Sequence, residues 1–330
     1  MSANFNETLA LLKQFSRTDL IAMFNLAIEG TEENKPEVTK CDCPYCSGKN
    51  VIRFGLKRGK QRFFCKDCGR TFVETTNTVM SMSHYGRDIW EAMFLDTIDG
   101  NALSFSEEKL GISHQAAFNM RHKILLAMQD IAADIPTMLN DVTEFDETFV
   151  LECYKGKQLP ETIDRKPRKH GAKAKKRGIS NEYICVCTGI QRKGEPLVQS
   201  VNRAKPTSEE LAKVFSGHIS DGTLCLTDGL RSYTVLSKLA DCDVKNVENE
   251  RGSFYNLNTV NNLHSFIKRR YVFYRGVATK YINRYCAALA VAYRKSSDII
   301  TNIKDHLFKV GALRTVYGIY DVKNHSLLAI

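Results

Sequence analysis

No run in this 330-residue chain approaches the ~18 apolar residues that a membrane-spanning helix requires. The first twenty residues, MSANFNETLALLKQFSRTDL, also lack the charged-then-apolar design and the small-residue cleavage site of a secretory signal. Neither membrane insertion nor export is expected, and a cytoplasmic location is. Acidic residues are in short supply: 37 Asp and Glu stand against 47 Lys and Arg, a net charge of +10. A basic excess of this size points to an anionic partner, nucleic acid or less often an anionic membrane surface. The shortage is local as well as global. The 18 residues between Cys46 and Cys65 hold six basic residues and no acid, and a second basic run, RKPRKHGAKAKKR, occupies 165–177.

The cysteines are the first thing present in quantity. There are eleven, but an intracellular chain does not keep disulfides. Cys185 and Cys187 alternate in a strand-like run and Cys225 lies in an apolar one, where free cysteine behaves as a small buried hydrophobe. Four others are differently arranged. Cys43 and Cys46 form one CxxC pair, Cys65 and Cys68 a second, with strand-like NVIRFG and QRFFC between them. A single pair would leave chance spacing or redox chemistry open. Two pairs with a short spacer read as a zinc ribbon over 41–76, closed by four thiolates and therefore structural. Cys41 makes no CxxC with Cys46 and is disfavoured as a ligand.

The rest divides by pattern. Residues 5–28 read as amphipathic helix and 29–40 as polar linker, together an N-terminal segment 1–40. Residues 83–135 are helical. Within them SFSEEKLGISHQAAFNMRHKILLAM has a helix, a Gly-containing turn and a second helix capped by Ser113. That is either an ordinary helical hairpin or a helix-turn-helix, and beside a basic ribbon the DNA-binding reading gains weight. Its base-reading side chains would be His114, Gln115, Asn119 and Arg121. Residues 141–295 run β-β-β-α-β-α-β-α, with a basic insertion at 155–180, and imply a mixed sheet flanked by helices. Residues 296–330 read as a C-terminal extension.

Two acids stand where strands should be apolar. In DVTEFDETFV, alternation puts Glu144, Asp146 and Thr148 on one face and Phe145 and Phe149 on the other. Asp228 ends the buried run LCLTDG. Buried carboxylates need partners. Each alone reads as a cap or an ion-pair member; together at strand ends they suggest a shared Mg2+. On the helix begun by NTVNNLHSFIKRR, residues Asn261, His264, Ser265 and Lys268 share one face, which is either a plain solvent stripe or part of a site.

With CPYC, CKDCGRTF, GISHQAAFNMRHKI, EFDET, LTDGLRSY and NLNTVNNLHSFIKRRY in this order, residues 40–295 resemble insertion-sequence transposases of the ISXO2-like family. These have an N-terminal zinc ribbon and an RNase H-like α/β catalytic domain. The resemblance implies Zn2+ in the ribbon and Mg2+ or Mn2+ at a three-residue site. Asp146 and Asp228 match the first two positions and Asn261 the third, where other members carry Glu. Asn offers one neutral carbonyl oxygen in place of a charged carboxylate, so binding there should be weaker. Glu144 and Glu147 are the residues most easily confused with Asp146. The implied partner is double-stranded DNA, both the element's terminal repeats and the target, bound by a homodimer or higher oligomer in the nucleoid. Arg53, Lys57, Arg58, Lys60 and Arg62 of the ribbon, with His264 and Lys268, would contact phosphates. The ribbon could instead be a dimer contact. A nuclease without strand transfer, or a non-catalytic DNA-binding regulator, are the rival readings.

Overall fold

The computed structural model describes residues 42–57, 59–134, 137–156, 178–247, 253–294 and 296–324, with positions 159, 161, 166 and 174. The helix expected at 5–28, the linker at 29–40 and most of the basic insertion lie outside the described residues. The chain forms two compact units, Met1–Glu74 and Thr75–Ile330.

In the first unit, β1 (Val51–Lys57) and β2 (Lys60–Cys65) form an antiparallel hairpin, and β3 (Thr71–Val73) adds to β2. The register shifts between Arg53 and Leu56, where Gly55 takes φ +68°, a bulge that a Cβ would strain. Phe63 and Phe72 stack at 5.5 Å and are buried. Among the described residues of this unit, the other buried apolar side chains are Cys43 and Cys65. The expected ribbon is present.

The second unit begins with α1 (Arg87–Asp99), α2 (Leu103–Leu110) and α3 (His114–Asp134). Gly111 in the left-handed region ends α2, and the Ser113 hydroxyl accepts the amide of Ala116, the cap read from the sequence. A five-stranded sheet follows in the order β6-β5-β4-β7-β8, built from β4 (Val142–Leu151), β5 (Tyr183–Gln191), β6 (Pro196–Arg203), β7 (Leu224–Thr227) and β8 (Asp243–Asn246). The first three strands are an antiparallel meander, while β7 and β8 run parallel to β4. A meander, then parallel strands reached through helical crossovers beyond the first strand, is the RNase H-like arrangement. It makes β4 the central strand.

Both faces of the sheet are covered, by alternation. Val150, Ile184, Val186 and Val198 meet the large core formed with α5 (Asn258–Phe273), α6 (Ile282–Arg294) and the N-terminal helices. Phe145, Cys185, Cys187 and Cys225 face the other way, onto α4 (Ser208–Phe215) and the 3-10 helix Arg231–Lys238. Those three thiols are buried, as read from the sequence. Gly189 is required opposite Phe145, because a Cβ there would come within 2.9 Å of Leu139. Thr207 caps α4 in a reciprocal box with Glu210. The segment 231–238, expected as an α-helix, is a 3-10 helix instead.

The C-terminal extension packs on the long helix α3. Beyond α7 (Ser297–Phe308), the Tyr317 hydroxyl donates to Asp130 at 2.8 Å, and Val322 of α8 (Ile319–Asn324) joins Leu126 in a small apolar cluster. Among the described residues no helix is long and apolar enough to cross a membrane.

Candidate functional site

β4 and β7 are paired in parallel through Glu144 and Leu226, so the chain two residues further along each strand arrives at Asp146 and Asp228. Their carboxylates and that of Glu147 converge, with one ligand oxygen from each lying within 4.8 Å of the other two. Each acid is held in place. Asp146 Oδ1 accepts the amide of Glu147 at 2.9 Å, Asp228 Oδ1 the amide of Leu230 at 3.0 Å, and Glu147 Oε2 the hydroxyl of Tyr233 at 3.1 Å. Asp228 is exposed, while the other two are partly buried.

Burial pushes Asp146 up to about 6, and the Asp228 charge adds to this against the opposing Glu147 amide and Lys268. Burial pushes Glu147 up to about 7, with Asp146 and Asp228 adding to it against Tyr233 and Lys205. Three acids in one small volume cannot all ionise cheaply unless a cation joins them. Hard oxygen donors fixed by backbone amides on two strands and open to solvent at Asp228 fit a divalent ion such as Mg2+ or Mn2+.

Glu147 joins Asp146 and Asp228 in this cluster, a residue the sequence reading had named only as one easily confused with Asp146. Alternation assigns Glu147 to the Phe145 face, and there the Tyr233 hydroxyl donates to its carboxylate. The signal was the adjacent pair Asp146-Glu147 in EFDET.

Glu144 proves to be a fastener for the helix beside the cluster. It is fully buried, accepts from the Thr259 hydroxyl at 3.0 Å and the Val260 amide at 2.9 Å, and pairs with Arg192 at 2.8 Å. It thus satisfies the positive N-terminal end of α5. Arg192 also donates to the carbonyls of Phe254 and Asn256, tying down the approach to that helix. Two residues on along β4, Asp146 Oδ2 lies 3.6 Å from His264 Nδ1, four residues on along α5. Strand and helix therefore run side by side, and Asn261, exposed, lies on the stretch between the two contacts. Lys268 is exposed one turn beyond His264. Removing one partner of a buried pair leaves an uncompensated charge. Glu144→Gln should therefore cost about 3 kcal/mol of stability, read as a lowered denaturation midpoint.

Two expected DNA contacts are corrected. His264 is buried, its Nε2 2.7 Å from the Thr188 hydroxyl, and burial together with Lys268 brings it down to about 4. So buried, it is not presented to a phosphate. The helical face is right, but this turn of it packs on the sheet. Arg121 is only 1% exposed, directed to the Ser106 hydroxyl and lying over the Tyr274 ring. It lies in the continuous run Met120–Met128 of α3 that is buried on every side. His114 and Gln115 are exposed and Asn119 half-buried; His114 lies 3.0 Å from Glu107, and Gln115 donates to Asn119.

In the ribbon, Cys43 and Cys68 Sγ are 3.6 Å apart and Cys46 and Cys65 Sγ 3.7 Å. Ligands on a tetrahedral ion at ~2.3 Å are separated by ~3.8 Å, so the four sulfurs fit Zn2+. Burial opposes ionisation of Cys43, but the amides of Tyr45 and Cys46 and the thiols of Cys68 and Cys65 bring it down to about 7. Arg53 is exposed on β1. Arg62 lies over the Phe54 ring at 4.7 Å and is half-buried, as is Lys60. The Lys57 side chain and Arg58 lie outside the described residues.

Residues 138–295 match the family model described as ISXO2-like transposase domain. The chain is 25% identical over 253 residues to an uncharacterized protein in transposable element ISH50 of Halobacterium salinarum, covering 74% of this chain and 83% of that protein. Similarity also extends to a pre-cleavage Mos1 transpososome, at 11% identity over 67% of this chain and 79% of that one, with a TM-score of 0.22. For the Mos1 strand transfer complex the figures are 12%, 68%, 75% and 0.28. Over residues 138–295 the chain is thus similar to the ISXO2-like transposase domain, and over most of its length to a protein of a transposable element.

Proposed function

We propose that this chain is a DNA transposase that binds the terminal inverted repeats of its element and catalyses phosphodiester cleavage and strand transfer. The observation that carries this is the convergence of Asp146, Glu147 and Asp228 at the mouth of adjacent parallel strands, within the matched domain. Asp146 and Asp228 would hold the divalent ions, with Glu147 and Asn261 as neutral or charged oxygen donors on either side. When bound, two such ions would activate the attacking hydroxyl and stabilise the leaving oxygen. Tyr233 keeps Glu147 turned toward its neighbours. Glu144 and Arg192 hold the start of α5, which carries Asn261, against β4. Lys268, exposed on that helix, would draw the scissile phosphate toward the acids. The ribbon and the start of α3 would bind the repeat, and a dimer would pair two ends in the nucleoid.

The test is cleavage and joining of a duplex bearing the element's ends, with Mg2+ or Mn2+, comparing wild type with Asp146→Ala, Asp228→Ala and Asn261→Ala. Loss in all three supports the assignment. Wild type that binds the ends but neither cuts nor joins them sinks it and favours a non-catalytic regulator.

The raised acids also predict a pH dependence. Without metal, the folded site holds protons up to pH 6–7 that the unfolded chain releases near pH ~4. Stability of the metal-free protein therefore falls as pH rises through that window. Mg2+ competes with those protons, so it should raise the thermal midpoint clearly at pH 7.5 and little at pH 5.5, as scanning calorimetry would show.

A further inference from the structure

Thr188 lies opposite Asp146 in the β4–β5 register, and its hydroxyl donates to the Asp146 carbonyl oxygen at 2.8 Å. The Thr188 hydroxyl oxygen itself is 2.7 Å from His264 Nε2. A hydroxyl has a single proton to give. With that proton on the Asp146 carbonyl, the Thr188 oxygen must accept from the ring, so the neutral imidazole carries its hydrogen on Nε2. The opposite tautomer would take the Thr188 proton away from the carbonyl. It would also aim an Nδ1 hydrogen at Asp146 Oδ2 across 3.6 Å, too far for a hydrogen bond. The tautomer that keeps both short contacts therefore leaves the Nδ1 lone pair facing a carboxylate oxygen. A divalent ion between these two atoms would take a lone pair from each. Their separation is within the ~4.2 Å that two ligands of one ion at ~2.1 Å can span.

From this geometry we infer that His264 Nδ1 is a nitrogen ligand to a divalent ion held by Asp146, with Thr188 fixing the tautomer. This rests on the metal-site reading above and adds a ligand to it. Glu147 reaches Asp146 from the Tyr233 side of the sheet and His264 from the α5 side, so the nitrogen belongs to an ion on the helix side. That is the side on which Asn261 supplies a weaker donor than a carboxylate. Metal-bound histidines are held this way, the far ring N–H donating to a fixed acceptor. A nitrogen ligand also favours Mn2+ over Mg2+.

The test uses full-length protein with zinc in the ribbon, loaded with Mn2+ and examined by pulsed electron paramagnetic resonance. Nitrogen-14 coupling to bound Mn2+ is expected in wild type. It should disappear in His264→Gln, which can still donate to Thr188 but has no nitrogen at the Nδ1 position. Bound Mn2+ without nitrogen coupling in wild type overturns the inference and leaves the carboxylate site standing. Failure of wild type to bind Mn2+ at all removes both. Should His264→Gln not fold, two-bond proton–nitrogen correlation spectra of the wild-type histidines decide the matter: an Nε2–H tautomer at His264 that shifts on adding Mg2+ or Mn2+ supports it, and an Nδ1–H tautomer overturns it.

Discussion

Asp146→Asn should lower end cleavage by about 10³-fold while leaving the protein folded and, without metal, more stable than wild type. The first part follows from charge. The substitution keeps shape but replaces a carboxylate at the centre of the cluster by one neutral oxygen and an amide. Several kcal/mol of transition-state charge stabilisation depends on the ions held there, and about 4 kcal/mol corresponds to roughly 10³ in rate. The second part follows from burial. Asp146 is raised to about 6 because its charge is poorly solvated and crowded by Asp228. At pH 7.5 the ionised form is a burden on the metal-free fold, and removing it should return about 1–2 kcal/mol. With Mg2+ present the order reverses, because only wild type gains from binding. Activity assays paired with chemical denaturation, with and without Mg2+, read both halves. A merely structural Asp146 would lose stability in every condition, and that result would exclude it from the catalytic set.

What could be read beforehand depended on how local the physics is. The ribbon was legible because four soft ligands at fixed spacing serve one metal and little else. The capping of α3 by Ser113 was legible, and that of α4 was narrowed to Thr207 or Ser208, because each is decided within four residues. A mixed sheet flanked by helices followed from the pattern of strands and helices, and Asp146 and Asp228 stood out as charge in apolar runs. The site's remainder was hidden because it depends on contacts across more than 40 residues. Arg192, in the polar turn QRKG, reads as a solvated charge, yet it reaches back 48 positions to Glu144. Glu147 points by alternation away from the acids it joins. His264 shares a face with Lys268, but a helix lying on a sheet buries one turn of that face and exposes the next. Arg121 failed likewise: periodicity gives a direction around the helix, and the partner packed there, here Tyr274 and Ser106, is not in the pattern.

The ribbon should behave as a metal-dependent fold of its own. Its buried apolar content is little more than Phe63 and Phe72, far less than the core that gives a domain its usual ~5–15 kcal/mol. Structural zinc in comparable small units is worth an apparent ~10–16 kcal/mol at neutral pH, so the ion outweighs everything else holding β1–β3 together. Cys65→Ser, which removes a fully buried ligand, should unfold residues 43–73 at 25 °C. The unit Thr75–Ile330 has its own large core and should keep its thermal transition. Amide spectra would show the loss directly, as collapse of the ribbon resonances beside an unchanged set from the second unit. A strong zinc chelator should have the same effect on wild type, reversed by added Zn2+. If the ribbon carries the phosphate-binding residues, end binding is lost with it, while the carboxylate cluster, fixed by β4, β7 and α5, still takes up Mn2+. Ribbon resonances that stay dispersed in Cys65→Ser would mean that Phe63, Phe72 and the hairpin ladder suffice without metal, and the four-thiolate site would then need another purpose.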